Sequence, residues 1–532
     1  MHLFSTHIKI GLLIALSVCV VSCTDIHEET AFERVIKYYR EHGDTLKMHA
    51  AEYLRDNSYY HYGVARYLAD SADIRVVLPP YDCFLTDTAM VDAIMNAGFH
   101  IIESSSEADR DLITDDFLIN NINLAFDSWQ RPWARDLSFA DFCRYILPYR
   151  CADEELDSWR LYFKQKYEPT IQDSVSNPTS IREVATYLMH RLQSEVKYSP
   201  PMGRAYEGHF MSFTEMSQTH YLECRNLALY GTMALRACGI PCGLVSIYWR
   251  FNDVAHTSIL IPATSINGKA CRLSIYDDLQ DIGEPKDSMA SYRTWLYLYE
   301  ADSSLLQLSQ DSEIISAYWQ PVTRHDITDQ ISKTYNISLP ISEEAKKHQH
   351  AFLCRFKNWH WIPIREGKTT EDSIYFNKVT IRQWYRLGII TGDSLKTFGH
   401  TFTIIPTHFS NENNENYRLQ YYDQSGDTVT YKLVYNCKPS EKRTNPVRST
   451  YFWDTNDEWH EITQSTTLWG LNETTGEYRV FEESLRGTYK PVFHLMKVRL
   501  PAWTTFFDDD MPRPVGFICK DPVSNEGYTM QF

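Results

Sequence analysis

The sequence lacks the features by which several large protein classes are recognised. Its 52 Lys and Arg residues are outnumbered by 69 Asp and Glu residues, which gives a formal net charge of -17. Because phosphate binding depends on clustered Lys and Arg, and no such cluster occurs, the composition argues against a nucleic-acid partner. The chain also contains no Gly-x-Ser-x-Gly elbow, no phosphate-cradling glycine-rich loop and no tandem repeat.

Long hydrophobic runs are also missing, except at the N-terminus. Lys9 precedes an apolar run from Ile10 to Val21, which is followed by Ser22 and Cys23. Residues 1–23 therefore read as an export signal, since the run is shorter than the roughly 20 residues that span a bilayer. The end of the run resembles a bacterial lipobox, which implies that Cys23 carries lipid and anchors the chain to a membrane. The alternative is an ordinary secretory signal.

The residues after Cys23 bear on localisation. Thr24 to Glu29 is an acidic stretch, and it resembles a signal by which some Gram-negative bacteria place lipoproteins on the cell surface. A solvated tether would have the same composition. We expect an exported protein at the outer membrane or cell surface of a Gram-negative-type bacterium.

The cysteines predict neither a disulfide framework nor a metal centre. Twelve are present, and ten remain once Cys19 and Cys23 are set aside with the signal. Cys238 and Cys242 have three residues between them, but no second Cys or His pair lies nearby at ligand spacing. We expect these two side chains in the core, and we expect no metal and no cofactor.

Residues 24–178 are predicted to form a helical domain. Apolar residues recur at three-and-four spacing, and Ser138 is placed as an N-cap. We expect Trp129, Trp133 and Trp159 to be core residues. The alternative is that they form a sugar-binding platform. The apolar positions expected in the core are Phe32, Val35, Ile36, Tyr39, Leu46, Ala50, Tyr53, Leu54, Phe139, Phe142 and Ile146.

Residues 179–300 are predicted to form an α+β domain. The pattern gives an amphipathic helix over Val184 to Tyr198, a long loop from Ser199 to Gln218, and a helix that Cys224 opens and Gly239 and Pro241 close. Alternating segments then predict a helix packed on an antiparallel sheet, with Asn267-Gly268 as a hairpin turn. The strands are expected at Gly243 to Trp249, His256 to Ile261 and Ala270 to Tyr276.

Beyond about Lys333 the pattern changes to short apolar runs between polar turns. This is typical of β-sandwich modules, which we place at 333–440 and 441–532. The fold class is therefore multi-domain α+β: a helical domain, the α+β domain, and C-terminal β-sandwich modules.

The candidate chemistry is that of a cysteine nucleophile. The first turn of a helix favours thiolate over thiol, so Cys224 is expected to have a lowered pKa. His256 is the candidate base, and Asp277 or Asp278 is the carboxylate that orients it, with Asp277 favoured. The Cys224 backbone N–H and the side chain of Gln218 are candidate donors to an oxyanion.

These residues resemble the transglutaminase-like superfamily, which has a papain-like fold. The resemblance is carried by Cys224-Arg-Asn-Leu-Ala228, by Leu235-Arg-Ala-Cys-Gly-Ile-Pro241, by His256 and by Tyr276-Asp277. It implies a Cys224, His256 and Asp277 triad that cleaves or transfers amide acyl groups of peptides or glycopeptides. More loosely, the flanking regions resemble multi-domain transglutaminase-like lipoproteins of bacteria.

The match departs from the family pattern at three places. Leu222 stands where a Gly is usual, Glu223 adjoins the thiol, and Thr257-Ser258 follows His256. A neighbouring carboxylate raises a thiol pKa, opposing the helix dipole. Two functions therefore stand side by side: a peptidase-like thiol enzyme, and a catalytically inactive lipoprotein that binds glycans or peptides through its β modules.

Overall fold

The structure is a computed structural model in which helices and strands are mixed along the chain. Beyond residue 428 it describes strands alone. The described residues are 29–76, 98–199, 209–249, 255–263, 269–275, 279–285, 291–309, 321–341, 343, 345–348, 350–357, 360–381, 385–391, 394–406, 417–422, 428–438, 450–453, 459–462, 465–472, 478–482, 498–501, 516–520 and 527–531. The signal segment with Cys23, the Asn267-Gly268 turn and both candidate aspartates lie outside these residues.

The first part of the chain is mostly helical, as predicted. Its helices begin at side-chain caps: Thr30 and Glu33 form a capping box, and the Ser138 hydroxyl accepts from the Asp141 N–H as expected. The helices are α1 (Ala31–Glu41), α2 (Thr45–Ser58), α3 (Asp109–Leu112), α4 (Asp115–Trp129), α5 (Phe139–Tyr145), α6 (Trp159–Ser174) and α7 (Ile181–Gln193).

The apolar stripes of these helices form a shared core with the next part of the chain. Most of the predicted positions are buried, although Leu46 is 50% exposed. Trp133 and Trp159 are also buried, and their indole N–H groups donate to the backbone carbonyls of Cys238 and Tyr149. The core interpretation of these two tryptophans is therefore confirmed.

A small antiparallel sheet interrupts the helical region, which the sequence pattern did not predict. It has the order β2-β1-β3 and inserts between α2 and α3. The strands are β1 (Tyr62–Ala69), β2 (Arg75–Val76) and β3 (His100–Ala108).

The next part is a helix packed against an antiparallel sheet, as predicted, but the sheet has six strands where three were expected. The helix is α9 (Cys224–Ala237), preceded by α8 (Phe213–Thr219). The sheet order is β11-β10-β6-β7-β8-β9. Its strands are β6 (Gly243–Trp249), β7 (Ala255–Ile261), β8 (Cys271–Leu273), β9 (Gln280–Asp281), β10 (Ser291–Tyr297) and β11 (Arg324–Asp326). A two-residue parallel pair, β4 (Lys197–Tyr198) with β5 (Tyr221–Leu222), stands beside the start of α9.

Helix α9 approaches β7 closely at Gly231. A Cβ at this position would lie 2.7 Å from the Ile259 Cδ1 atom. At the other end, Gly239 has φ +81°, and the N–H groups of Gly239 and Ile240 donate to the carbonyls of Arg236 and Leu235. This is a Schellman closure, so the predicted end of the helix is confirmed.

Two short helices, α10 (Ser303–Ser309) and α11 (Thr328–Ile331), lead to a seven-stranded antiparallel sheet. The rings of Tyr335 and Tyr417, from its two edge strands, lie 5.9 Å apart. One curled sheet therefore encloses its core, in place of the two facing sheets expected for a sandwich. Its order is β12-β15-β14-β13-β16-β17-β18, with β12 (Tyr335–Pro340), β13 (Ala351–Lys357), β14 (His360–Thr369), β15 (Ser373–Val379), β16 (Tyr385–Thr391), β17 (Ser394–Pro406) and β18 (Tyr417–Tyr422).

The remaining strands pair among themselves. The first of them, β19, lies before the expected module boundary at residue 440 but pairs with strands from beyond it. One sheet has the order β23-β22-β19-β24, and two further pairs are hairpins. The strands are β19 (Thr428–Lys438), β20 (Thr450–Trp453), β21 (Trp459–Ile462), β22 (Ser465–Asn472), β23 (Tyr478–Glu482), β24 (Val498–Pro501), β25 (Gly516–Lys520) and β26 (Gly527–Gln531).

The six-stranded and seven-stranded sheets are joined by a buried charge cluster. Asp326 of β11 accepts from Arg365 of β14 at 2.5 Å and lies 3.1 Å from the Arg293 guanidinium of β10. Burial alone would raise the pKa of Asp326. The two guanidinium groups outweigh this effect and hold the pKa well below its usual range. Among the described residues, no helix has the length and apolar character needed to cross a membrane.

Candidate active site

The start of α9 is set by the short parallel pair β4 and β5. The Ser199 N–H donates to the Leu222 carbonyl at 2.8 Å, and the Lys197 N–H donates to the His220 carbonyl at 2.8 Å. His220 has φ 56°, which turns the chain from α8 into β5. The helix begins two residues after β5 ends at Leu222, so Cys224 is the first helical residue, and it is half-buried.

Glu223 is the N-cap of α9 and the hydrogen-bond acceptor of the thiol. Its carboxylate accepts from the Arg225 N–H at 2.7 Å and from the Asn226 N–H at 3.0 Å. The Cys224 Sγ donates to the same carboxylate at 3.4 Å. One carboxylate therefore caps the helix and holds the thiol in its protonated form.

The expectation of a lowered thiol pKa is wrong for this arrangement. Burial raises the pKa of Cys224 to about 11, and the charge of Glu223 adds to the increase. The Thr257 backbone N–H and the Arg225 charge act in the opposite direction and are outweighed. The sequence correctly indicated the effect of Glu223, but the depth of burial depends on packing that no local motif encodes.

Strand β7 brings the candidate base to the neighbourhood of the thiol. His256 pairs with Ile247 in the β6–β7 register, and Thr257, the next residue, directs its backbone N–H at the Cys224 sulfur. The nucleophile and the candidate base thus belong to elements in direct contact. Asp277 and Asp278 follow β8 in the sequence and lie outside the described residues.

Asn226 is a site residue that the sequence reading missed. Its side-chain oxygen accepts from the Met211 N–H at 2.9 Å, and its amide nitrogen lies 3.4 Å from the His209 carbonyl. It thereby fastens residues 209–211 against the start of α9. The only sequence signal was its position two residues after Cys224, within the first helical turn.

The predicted loop from Ser199 to Gln218 contains helix α8. Ser212 and Glu215 form a capping box at its start, and Arg75 of β2 pairs with Glu215 at 2.8 Å. The loop interpretation is therefore wrong from Phe213 to the predicted end of the loop at Gln218. Gln218, the oxyanion candidate, is exposed on this helix, and within the described part of the chain its side chain forms no hydrogen bond.

Other cysteines are core residues. Cys238 and Cys242 are fully buried, and burial raises the pKa of each to about 12. Across the described residues, no group of His, Cys, Asp and Glu side chains has the arrangement of a metal site.

Comparisons with known proteins leave the chain without an assigned family. No family model, no curated protein and no solved structure matches it. The function must therefore be argued from the site.

Proposed function

We propose that this protein is an exported, lipid-anchored thiol enzyme of the transglutaminase-like kind, which cleaves or transfers amide acyl groups of peptides or glycopeptides. Cys224 is the nucleophile, His256 is the base and Asp277 orients the imidazole. Cys23 carries the lipid, and the C-terminal β modules present the enzyme or hold its substrate. The observation that carries the proposal is the contact between the Cys224 sulfur and the residue that follows His256.

In the proposed reaction His256 removes the thiol proton as the sulfur attacks the amide carbonyl. The Cys224 backbone N–H, in the first turn of α9, donates to the oxyanion. His256 then returns the proton to the departing amine, which leaves a thioester on Cys224. Water or a second amine resolves the thioester. Because the resting thiol has a pKa of about 11, this reaction needs a base at the moment of attack.

A second function is favoured by that same pKa. A thiol held protonated by burial and by the Glu223 carboxylate is a poor nucleophile, as expected of a binding protein that keeps the fold without the activity. In this case the β modules would capture glycans or peptides, and Cys224 would have only a structural role.

The experiment uses the protein without residues 1–23 and p-nitrophenyl acetate as a small acyl donor. We expect p-nitrophenol release with turnover and acetylation of Cys224, located by mass spectrometry. His256→Ala should reduce the acylation rate by about a hundredfold or more, as for loss of a general base. Cys224→Ala should abolish turnover.

Cys271 provides the internal control. It is buried, its sulfur donates to the Asp281 carboxylate at 3.2 Å, and burial raises its pKa to about 11. Cys271→Ala should leave turnover unchanged. If Cys224 acetylates no faster than Cys271, and His256→Ala has no effect, the enzyme proposal is overturned and the binding function takes its place.

A further inference from the structure

Arg225 places a positive charge beside the candidate nucleophile. It is the second residue of α9 and is half-buried. Its guanidinium carbon lies 5.6 Å from the centre of the Phe210 ring. Burial is the main cause of the raised pKa of Cys224. The positive charge of Arg225 lowers this pKa, so the guanidinium lies close enough to influence the sulfur.

This guanidinium forms no ion pair within the part of the chain that the structure describes. Other arginines of similar burial behave differently: Arg75 pairs with Glu155 and Glu215, and Arg182 pairs with Asp281. Glu223 lies two residues before Arg225 in the sequence, and its oxygens already accept from two backbone N–H groups, the Asn226 amide and the thiol. In a chain with a net charge of -17, a half-buried guanidinium that has no ion pair among the described residues calls for an explanation.

The ring beneath Arg225 is held in place from two directions. The neighbouring residues His209 and Met211 are fastened to Asn226. Phe210 itself is 7% exposed and meets the Tyr297 ring edge-on at 6.2 Å. A fixed aromatic ring under a guanidinium limits the directions in which the guanidinium N–H groups point. The guanidinium is then already oriented to bind a planar anion.

We infer that Arg225 binds a carboxylate of the substrate, so that the site selects acyl donors with an anionic group close to the attacked carbonyl. The inference rests on the proposed function, because it assigns Arg225 a role at the Cys224 nucleophile. Guanidinium donors match the two oxygens of a carboxylate in a bidentate pair. The carboxylate is either the chain terminus of a peptide or an Asp or Glu side chain next to the scissile amide.

The test compares two alkylating agents that differ in charge alone. Iodoacetate and iodoacetamide have the same leaving group and nearly the same size, and the ratio of their rates on N-acetylcysteine gives the reference. We expect the ratio at Cys224 to exceed the reference by about fivefold, the order expected for a half-buried ion pair. Arg225→Gln should return the ratio to the reference, and Arg225→Lys should retain part of the preference.

Arg182→Gln is the matched control, because Arg182 also lies beside a cysteine but is paired with Asp281. It should leave the ratio at Cys224 unchanged. A ratio at Cys224 that is the same in wild type and in Arg225→Gln overturns the inference. Alkylation requires no turnover, so a charge preference without p-nitrophenyl acetate hydrolysis would defeat the proposed function and leave the anion site standing.

A protection experiment identifies the source of the carboxylate. N-acetylalanine carries only a terminal carboxylate, and N-acetylaspartate α-amide carries only a side-chain carboxylate. Protection of Cys224 from iodoacetamide by one of them, lost in Arg225→Gln, supports the inference and names the source. Equal protection of wild type and Arg225→Gln, or protection by neither compound, counts against an anion site.

Discussion

At the scale of single residues, Glu223 has two opposing consequences for the site. As N-cap it stabilises the first turn of α9, and as a charged neighbour it raises the thiol pKa. A helix N-terminus alone would have lowered that pKa. The side chain that starts the helix therefore adds to the effect of burial in lowering the reactivity of Cys224.

Glu223→Gln should lower the pKa of Cys224 while keeping the helix capped. The amide oxygen still accepts from the backbone N–H groups of Arg225 and Asn226, so we expect a stability loss of only about 1 kcal/mol. The pKa should remain above its ordinary value, because burial, the larger cause, is unchanged. The measurement is the pH dependence of iodoacetamide labelling at Cys224, read by mass spectrometry.

Asp281→Asn is the corresponding change at Cys271 and serves as the control. It should shift the labelling profile of Cys271 and leave that of Cys224 where it was, since Asp281 contacts Cys271 and Arg182. An unchanged Cys224 profile in Glu223→Gln would mean that the carboxylate does not hold the thiol proton.

At the scale of elements, the sequence predicted what local signals encode. The start of α5 at Ser138 and the end of α9 at Gly239 follow from capping residues, and β6 follows from the alternating segment that predicted it. Helix α8 was missed although Ser212 and Glu215 carry a local capping-box signal, because it is only seven residues long and is held by Arg75 from a distant strand. The extent of burial of Cys224 was missed because it arises from contacts distant in sequence.

Gly239→Ala should strongly destabilise α9. Gly239 has φ +81°, and an added Cβ would lie 2.4 Å from the Ser128 carbonyl oxygen, which belongs to α4. We expect the backbone strain and the overlap together to cost about 3 kcal/mol or more. The measurement is the free energy of opening of α9, obtained from amide hydrogen exchange.

Gly43→Ala is a matched control at the end of α1. Gly43 has φ +71° in the same type of helix closure, but a Cβ there would meet nothing within 4 Å. Only the backbone strain of about 1 kcal/mol should remain. Equal costs for the two substitutions would show that the contact between α4 and the end of α9 is unimportant.

At the scale of the whole molecule, buried side chains join α2 and the residues just after it to the segment that follows β10. The His61 Nε2–H donates to the Tyr299 carbonyl at 2.7 Å, and the two rings stack with centroids 4.1 Å apart. The Tyr299 hydroxyl in turn donates to the Leu54 carbonyl at 3.0 Å. Burial lowers the pKa of His61 to about 4, so this junction contains a neutral imidazole.

This junction should make folding stability depend on pH. Between about pH 6.5, the ordinary His value, and about pH 4, the unfolded chain takes up a proton on His61 that the folded chain does not. The stabilisation that comes from the neutral imidazole of His61 is therefore complete above pH 6.5 and is lost as the pH falls toward 4. From the size of the shift in the His61 pKa, we expect the free energy of unfolding to fall by about 3 kcal/mol.

The measurement is urea unfolding between pH 4 and pH 8 for wild type, His61→Gln and Tyr299→Phe. His61→Gln keeps a donor for the Tyr299 carbonyl but cannot titrate, so its stability should fall less steeply than that of wild type below pH 6.5. Tyr299→Phe keeps the ring and the carbonyl but loses the hydroxyl, so it should lose about 1 kcal/mol at every pH and retain the wild-type slope. A wild-type slope in His61→Gln would show that the junction is not the source of the pH dependence, because the other titrating groups are common to all three proteins.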